Sequence, residues 1–344
     1  MDIRELVRED KNKWDKYVYG SPLGTLNHLS GWRDVMTNVY GYKTYYLYAV
    51  EDNQVIGVLP LIEVKGLIFG HYFTSIPGGL CADTDQAASA LCEQAKDFLK
   101  HEKGQYLILR DCQRKWELPE FTINCDHFSL TVELSSDLNQ IRSKINKRAQ
   151  LLVDKAVQAN LDVLRGIEYL ESFYPAYSRS MADKGTPTLG LKFFREVVAQ
   201  FSENIDLFAI RNDKHMMGGG FIFYFKDMVS CSWGGMMRQY YHLYPNHLLY
   251  WETMKHSAES GYKQLDFGRS AWESGTFKFK MNWGAEPKPL FQLIYLNGVQ
   301  KPPLVGDRIS ENTQYKVYMN VWRHLPSTIT EKVGPWLRKW KPFG

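Results

Sequence analysis

The sequence predicts an α/β protein: a mixed, mainly antiparallel sheet covered by helices and built as two copies of one unit. Three observations carry this. Strand-like and helix-like periodicities alternate along the chain. Four marker residues in the first half recur about 160 residues later in the second. In each half, a helix-containing connection is long enough to return the next strand parallel to the last strand of a meander.

The first meander is read from "TYYLYAV", "QVIGVLPLIEV" and "LIFGHYFTSI", joined by "EDNQ" and "KG" turns. "DTDQAASALCEQAKDFLKHEKG" follows as a helix closing at Gly104, and "QYLILRD" as a short buried strand. "SDLNQIRSKINKRAQLLVDKAVQANLDV" reads as one long basic helix from a Ser/Asp cap, opening the second unit. The second meander is "IDLFAIRND", "HMMGGGFIFYF" and "DMVSCSWGG". The helix "PNHLLYWETMKHSAESG" starts at Pro245 or Asn246 and stops at Gly261, and "KQLDFGRS" is the strand after it. Gly57 matches Gly218, Gly79 matches Gly235, Gly104 matches Gly261 and Arg110 matches Arg269. The expected domains are 1–127, 128–300 and a basic helical tail over 301–344.

Composition narrows the function classes. Apolar content of 44% with 23% charged residues is that of a soluble globular protein, and 344 residues exceed one ordinary core. The five cysteines never stand in CxxC spacing and the nine histidines form no HxxxH pair, so no metal is expected. The N-terminus lacks a signal core and no run is long and apolar enough to span a bilayer, so a cytoplasmic protein is expected. From Lys301 onward eight Lys/Arg face three Asp/Glu, so the tail carries +5 against a formal +4 for the chain and the body sums to about −1. A near-neutral body argues against a nucleic-acid binder. The tail "YKVYMNVWRHLPSTITEKVGPWLRKWKPFG" interleaves Trp322, Trp336, Trp340 and Phe343 with basic residues. That composition suits peripheral contact through 315–344 with the inner face of the cytoplasmic membrane, or a helix docked on the body.

The stretch "LDFGRSAWESGTFKFKMNWG" concentrates charge beside aromatic surface. Wound as a helix, its late part places Lys280 between two apolar faces, partly desolvated and held for a polar partner. Its alternation also permits a strand. Asp266 and Arg269 flank a Phe-Gly pair at a strand end, where α/β folds place ligands; the competing reading is an internal ion pair. Trp233 and Gly234 end a meander strand and can line a ligand cleft or form a bulge. In "FYPAYSRSMADKGTPTLG", Tyr177 is a candidate proton donor or a core tyrosine. No GxSxG elbow and no Cys/His pair occurs, so direct attack on an activated carbonyl fits better than a covalent route.

"LDFGRS" followed by "GTFKFKMNWGAEPKPLFQLIYL", with "GVLPL", "KGTP", "PNHLLYWETMKHSAESG" and "VWRHLPSTITEKVGPWLRKW", resembles FemAB-like proteins of the GNAT-related acyltransferase group. The likeness is to the subgroup found with bacterial exopolysaccharide and PEP-CTERM gene systems. It implies tandem GNAT-like domains and transfer of an acyl or aminoacyl group from acyl-CoA or aminoacyl-tRNA. The acceptor implied is an amine or hydroxyl of a cell-envelope saccharide, of a nucleotide- or lipid-linked sugar, or of a peptidoglycan-type precursor. No cofactor is held permanently. The long coiled-coil insertion of some Fem enzymes has no counterpart here, which makes tRNA the less favoured donor. By motif, Lys280 is the lysine near the transfer site, assisted by Arg269, Asp266 and Tyr177. Phe279, Trp233, Gly234, Asn246, Ser270, Thr186 and Trp283 are the substrate-binding candidates. The alternative from another class is a non-catalytic polysaccharide-binding protein of an envelope system.

Overall fold

The computed structural model describes residues 1–66, 70–213, 215–300 and 313–340, with side chains from Met319 onward in the last stretch. The chain divides into two compact units. One comprises Met1–His127, Pro289–Ile309 and Lys339–Gly344; the other comprises Phe128–Lys288 and Ser310–Arg338.

The first unit opens with β1 (Asp2–Glu5), α1 (Lys11–Gly20) and α2 (Gly31–Tyr40). The meander β2 (Thr44–Glu51), β3 (Gln54–Gly66) and β4 (Gly70–Ser75) follows, with the two-residue strand β5 (Cys81–Ala82) pairing on β3. The first residues of the strand read from "LIFGHYFTSI" lie outside the described residues. Helix α3 (Asp85–His101) is capped by Thr84, whose hydroxyl accepts from the Ala87 amide at 3.1 Å. It closes where the Gly104 amide reaches back to the Leu99 carbonyl. Strand β6 (Tyr106–Cys112) then runs parallel to β4, paired from Tyr72–Tyr106 to Thr74–Ile108. Alternate inward residues, among them Leu59, Phe73, Leu107 and Leu109, pack with Leu91 and Ala95 of α3 in one hydrophobic core.

Strand β7 (Phe121–Glu133) leads into the second unit. The single long helix expected there is two helices, α4 (Leu138–Lys144) and α5 (Lys147–Gln158). Ile145 turns to extended backbone and Asn146 caps α5, its side chain accepting from the Arg148 amide. The Asn146 amide donates to the Asn282 carbonyl, a tertiary bond that an unbroken helix would forfeit. Asp154 takes both its oxygens to Arg142, which fastens α4 to α5.

The remaining elements are β8 (Asp162–Arg165), α6 (Leu170–Asp183), α7 (Leu191–Phe201), β9 (Ile205–Asn212), β10 (His215–Phe225), β11 (Met228–Met236), α8 (Pro245–Glu259), β12 (Gln264–Ala271), α9 (Gly275–Met281), β13 (Glu286–Leu296), α10 (Thr313–His324) and α11 (Ser327–Arg338). The second meander is β9–β10–β11, and β12 returns through α8 parallel to β11. This repeats the β2–β3–β4–α3–β6 order of the first unit, as the recurring glycines require. Each unit is completed by a strand from the other end of the repeat: β13 pairs antiparallel with β6 in the first, and β7 lies beside β12 in the second.

Of the expected tail over 301–344, residues 313–338 group with the second unit. Helices α10 and α11 pack on α6, with Trp322 and Thr330 buried. Gly334 is docked so closely that a Cβ would stand 2.9 Å from the Thr188 amide nitrogen. Lys301, Lys341 and Phe343 of the tail lie outside the described residues.

Candidate functional site

The opening feature of the second unit is a seam that stops early. Strands β11 and β12 pair from Met228–Gln264 to Ser230–Asp266 and no further. Two local distortions follow. On β11, Trp233 adopts φ +46°, and the register against β10 slips between Gly219 and Phe221. On β12, Gly268 adopts φ +76°. Left-handed backbone at Gly268 turns two successive carbonyls toward one point, and a cation fills that point.

The cation is Lys280. Ser274 caps α9 by accepting from the Phe277 amide, so the "FKFKM" segment is helical rather than extended. Lys280 Nζ donates to the Gly268 carbonyl at 2.7 Å and to the Arg269 carbonyl at 3.0 Å. The side chain is 7% exposed. Burial lowers its pKa from the usual 10.5 to about 8, with Asp266 opposing the shift. An ammonium has three donors, and the two carbonyls take two of them.

Asp266 takes hydrogen bonds from two strands. Its carboxylate accepts from the Ser129 hydroxyl at 2.5 Å and from the Gly268 amide at 2.7 Å. Burial raises its pKa, and those two donors and Lys280 hold it back. Beside it the Cys231 thiol is pushed up to about 12 by burial, which makes it a poor nucleophile. Ser270 is buried, and its hydroxyl has no hydrogen-bond partner.

An aromatic wall backs the lysine. Phe279 packs edge-on to His247 at 5.4 Å and lies 5.7 Å from Tyr250. Trp283, expected to touch substrate, is fully buried among His247, Tyr250 and Phe267. It supports the site from behind, because the turn after α9 drives its indole into the core. Tyr177 is also corrected: it is 1% exposed, with Phe194 at 5.1 Å and Phe173 at 5.7 Å, and burial raises its pKa. A phenol in that position has no route to a reacting group. Trp233 is half-buried against Phe193 and Phe223, while Gly234 beside it is exposed. Asn246 lies half-buried in the first turn of α8, and Thr186 follows α6 with its amide on the Met181 carbonyl. The structure therefore gathers Lys280, Asp266, Arg269 and Ser270 at one strand end, with Phe279 beside them. Tyr177 and Thr186 belong to α6 and the loop after it.

Ser129, Cys231 and Tyr250 join the site without having been read from the sequence. Ser129 stands in the plain strand pattern "FSLTVE", and nothing local says that β7 lies beside β12. No glycine falls between Gly235 and Pro245, the connection that enters α8, so that segment has no glycine-rich phosphate cradle.

The matching seam in the first unit is closed by its own side chains. Beyond Thr74–Ile108, the Arg110 amide donates to the Ser75 hydroxyl and Arg110 Nε donates to Thr74 Oγ1, both at 2.8 Å. Among the described residues, no group of three or more His, Cys, Asp or Glu is placed to hold a metal ion.

Comparison with known proteins matches part of the chain to a family. Residues 139–281 match the family described as acetyltransferase (GNAT) domain. No curated protein sequence matches the chain. Among solved structures, FemX is similar with a TM-score of 0.67 at 14% identity, over 86% of this chain and 98% of that one. A tandem GNAT protein from the clavulanic acid biosynthesis pathway gives 0.56 at 10% identity, over 87% and 99%. The C-terminal domain of a putative lysylphosphatidylglycerol synthetase from Agrobacterium fabrum gives 0.58 at 9% identity, over 84% and 92%. At these identities the likeness is one of fold.

Proposed function

We infer that this chain, an acyltransferase with a GNAT domain over residues 139–281 in a FemAB-like tandem frame, carries out its chemistry in the second unit, at the early-ending seam between β11 and β12. The single observation that carries the placement is Lys280. It is a buried ammonium fixed by two carbonyls at that seam, with one donor to spare.

The reaction is direct transfer. An amine or hydroxyl of the acceptor attacks the carbonyl carbon of an acyl-CoA or aminoacyl-tRNA donor. Negative charge gathers on the carbonyl oxygen, and the third N–H of Lys280 meets it there. The Asp266 carboxylate takes the proton that the acceptor loses and passes it to the donor's sulfur or ribose oxygen, which leaves as a thiol or hydroxyl while the carbonyl re-forms. Arg269 and the free hydroxyl of Ser270 hold polar groups of the substrates, and Phe279 with Gly234 shapes the wall. The acceptor class is a cell-envelope saccharide or a nucleotide- or lipid-linked precursor. FemX and the lysylphosphatidylglycerol synthetase domain, which share the frame, support an envelope acceptor by analogy of fold.

The test is a transfer assay with radiolabelled acyl-CoA and aminoacyl-tRNA donors against amine- and hydroxyl-bearing envelope sugars. Wild type is expected to transfer, and Lys280→Ala to lose transfer while keeping its fold. A Lys280→Ala protein with full activity overturns the assignment.

A further inference from the structure

Helix α11 is docked through one side only. Thr330 and Gly334 are buried against the body, and Arg338 Nε donates to the Pro187 carbonyl at 3.1 Å. The opposite side carries Ile329, Val333 and Trp336, which are 42%, 38% and 55% exposed. Their spacing of four and then three residues puts them on a single arc of the helix. Val321 of α10, 56% exposed, adds a fourth outward apolar residue in the same helix pair.

The charges are sorted around that arc. At 100° per residue, Lys332 borders the stripe on one side. Glu331, the only acid from residue 313 to the C-terminus, falls on the far side of the helix. Outward apolar groups edged by a lysine, with the acid turned away, form the pattern of a helix lying in a charged interface. The apolar groups enter the hydrocarbon boundary while the ammonium group remains at headgroup level. A water-facing surface helix would place its charges where these apolar side chains stand. No helix among the described residues is long and apolar enough to cross a membrane, so the contact is a lateral one.

We propose that the outer face of α11, formed by Ile329, Val333 and Trp336 and edged by Lys332, docks the protein on an anionic lipid bilayer. The inner half of the tail is not part of this surface, because Trp322 is buried against the body. Binding requires no donor, acceptor or turnover, so it stands or falls independently of the transfer reaction.

The experiment is co-sedimentation of the full chain with vesicles of phosphatidylcholine alone and of phosphatidylcholine mixed with phosphatidylglycerol. The wild type is expected to bind the mixed vesicles, less so as salt is raised, and to leave the neutral ones largely free. The triple variant Ile329→Ser, Val333→Ser, Trp336→Ser is expected to keep its thermal midpoint and lose roughly tenfold or more of its vesicle partition. Lys332→Gln is expected to weaken binding and flatten the salt dependence. Three outcomes overturn the proposal: no wild-type binding, equal binding by the triple variant, or a wild-type dimer on size exclusion that the triple variant dissolves.

Discussion

Lys280 Nζ lies 2.7 Å from the carbonyl oxygen of Gly268. That contact depends on a backbone no other residue adopts readily, since Gly268 sits at φ +76°. The ammonium is therefore placed by the strand as much as by its own helix. Expected consequences follow from this pair and from its counterparts elsewhere in the fold.

On the proposed mechanism, removing the ammonium removes the charge that meets the oxyanion. Lys280→Ala is expected to lower kcat by about 10²–10³-fold, the scale of losing one preorganised donor. In wild type the transfer rate should fall as pH rises through about 8, where Lys280 deprotonates. A rate that climbs unchanged through that range excludes a role for the charged form.

Stability has its own pH signature. The folded pKa of Lys280, about 8, lies below its usual 10.5, so between those values the unfolded chain binds more protons than the folded one. Stability contributed at this site therefore rises with pH across that window and is lowest below it. Chemical unfolding of wild type and Lys280→Met at both ends of the window should show the difference between them move by roughly 3 kcal/mol in favour of wild type. A constant difference would place the lysine in water.

Ser129 positions Asp266 through a 2.5 Å hydrogen bond. Ser129→Ala deletes a donor to the carboxylate, so the pKa of Asp266 rises further. The acidic limb of the pH–rate profile is expected to move to higher pH, with the high-pH plateau of kcat little changed. A profile that drops uniformly at all pH values would point to a packing defect instead.

Gly218 is held at φ +145°, and a Cβ there would stand 2.0 Å from the Gly235 carbonyl oxygen. Gly218→Ala is expected to destabilise the protein by roughly 2–4 kcal/mol through strain and displaced backbone. Thermal unfolding measures it, and an unchanged midpoint would mean that the bulge between β10 and β11 relaxes freely.

Arg110 gives the contrasting case. Its guanidinium and amide close the first unit's seam on Thr74 and Ser75. Arg110→Ala is expected to cost about 1–3 kcal/mol of stability and leave transfer by the surviving folded protein unchanged. Loss of kcat at full stability would move chemistry into the first unit.

The repeat and the order of its elements were readable in the sequence, and the "DFGRS" and "FKFKMNWG" stretches stood out there as candidates. They rest on local signals: turn glycines, alternation of apolar residues, and a lysine between aromatic faces. For Tyr177 and Trp283 local pattern did not decide between site and core, because a lone aromatic looks the same whether it lines a cleft or fills a core. Only the packing of α6 on α7, and of α9 on α8, buries them. The long basic helix was overextended because nothing local marks Ile145 as its end; the bond from Asn146 to the Asn282 carbonyl, far along the chain, does so.

The sequence by itself determined the two-fold plan and singled out the lysine proposed as its chemical centre, because periodicity and turn chemistry act over a few residues. Three features were decided by the tertiary structure alone: Ser129 against Asp266, the two carbonyls on Lys280, and one apolar side of α11 left outward while the other is docked. Each joins groups distant in the chain or chooses between faces of one helix, and such choices are made by burial and hydrogen-bond satisfaction across the whole fold.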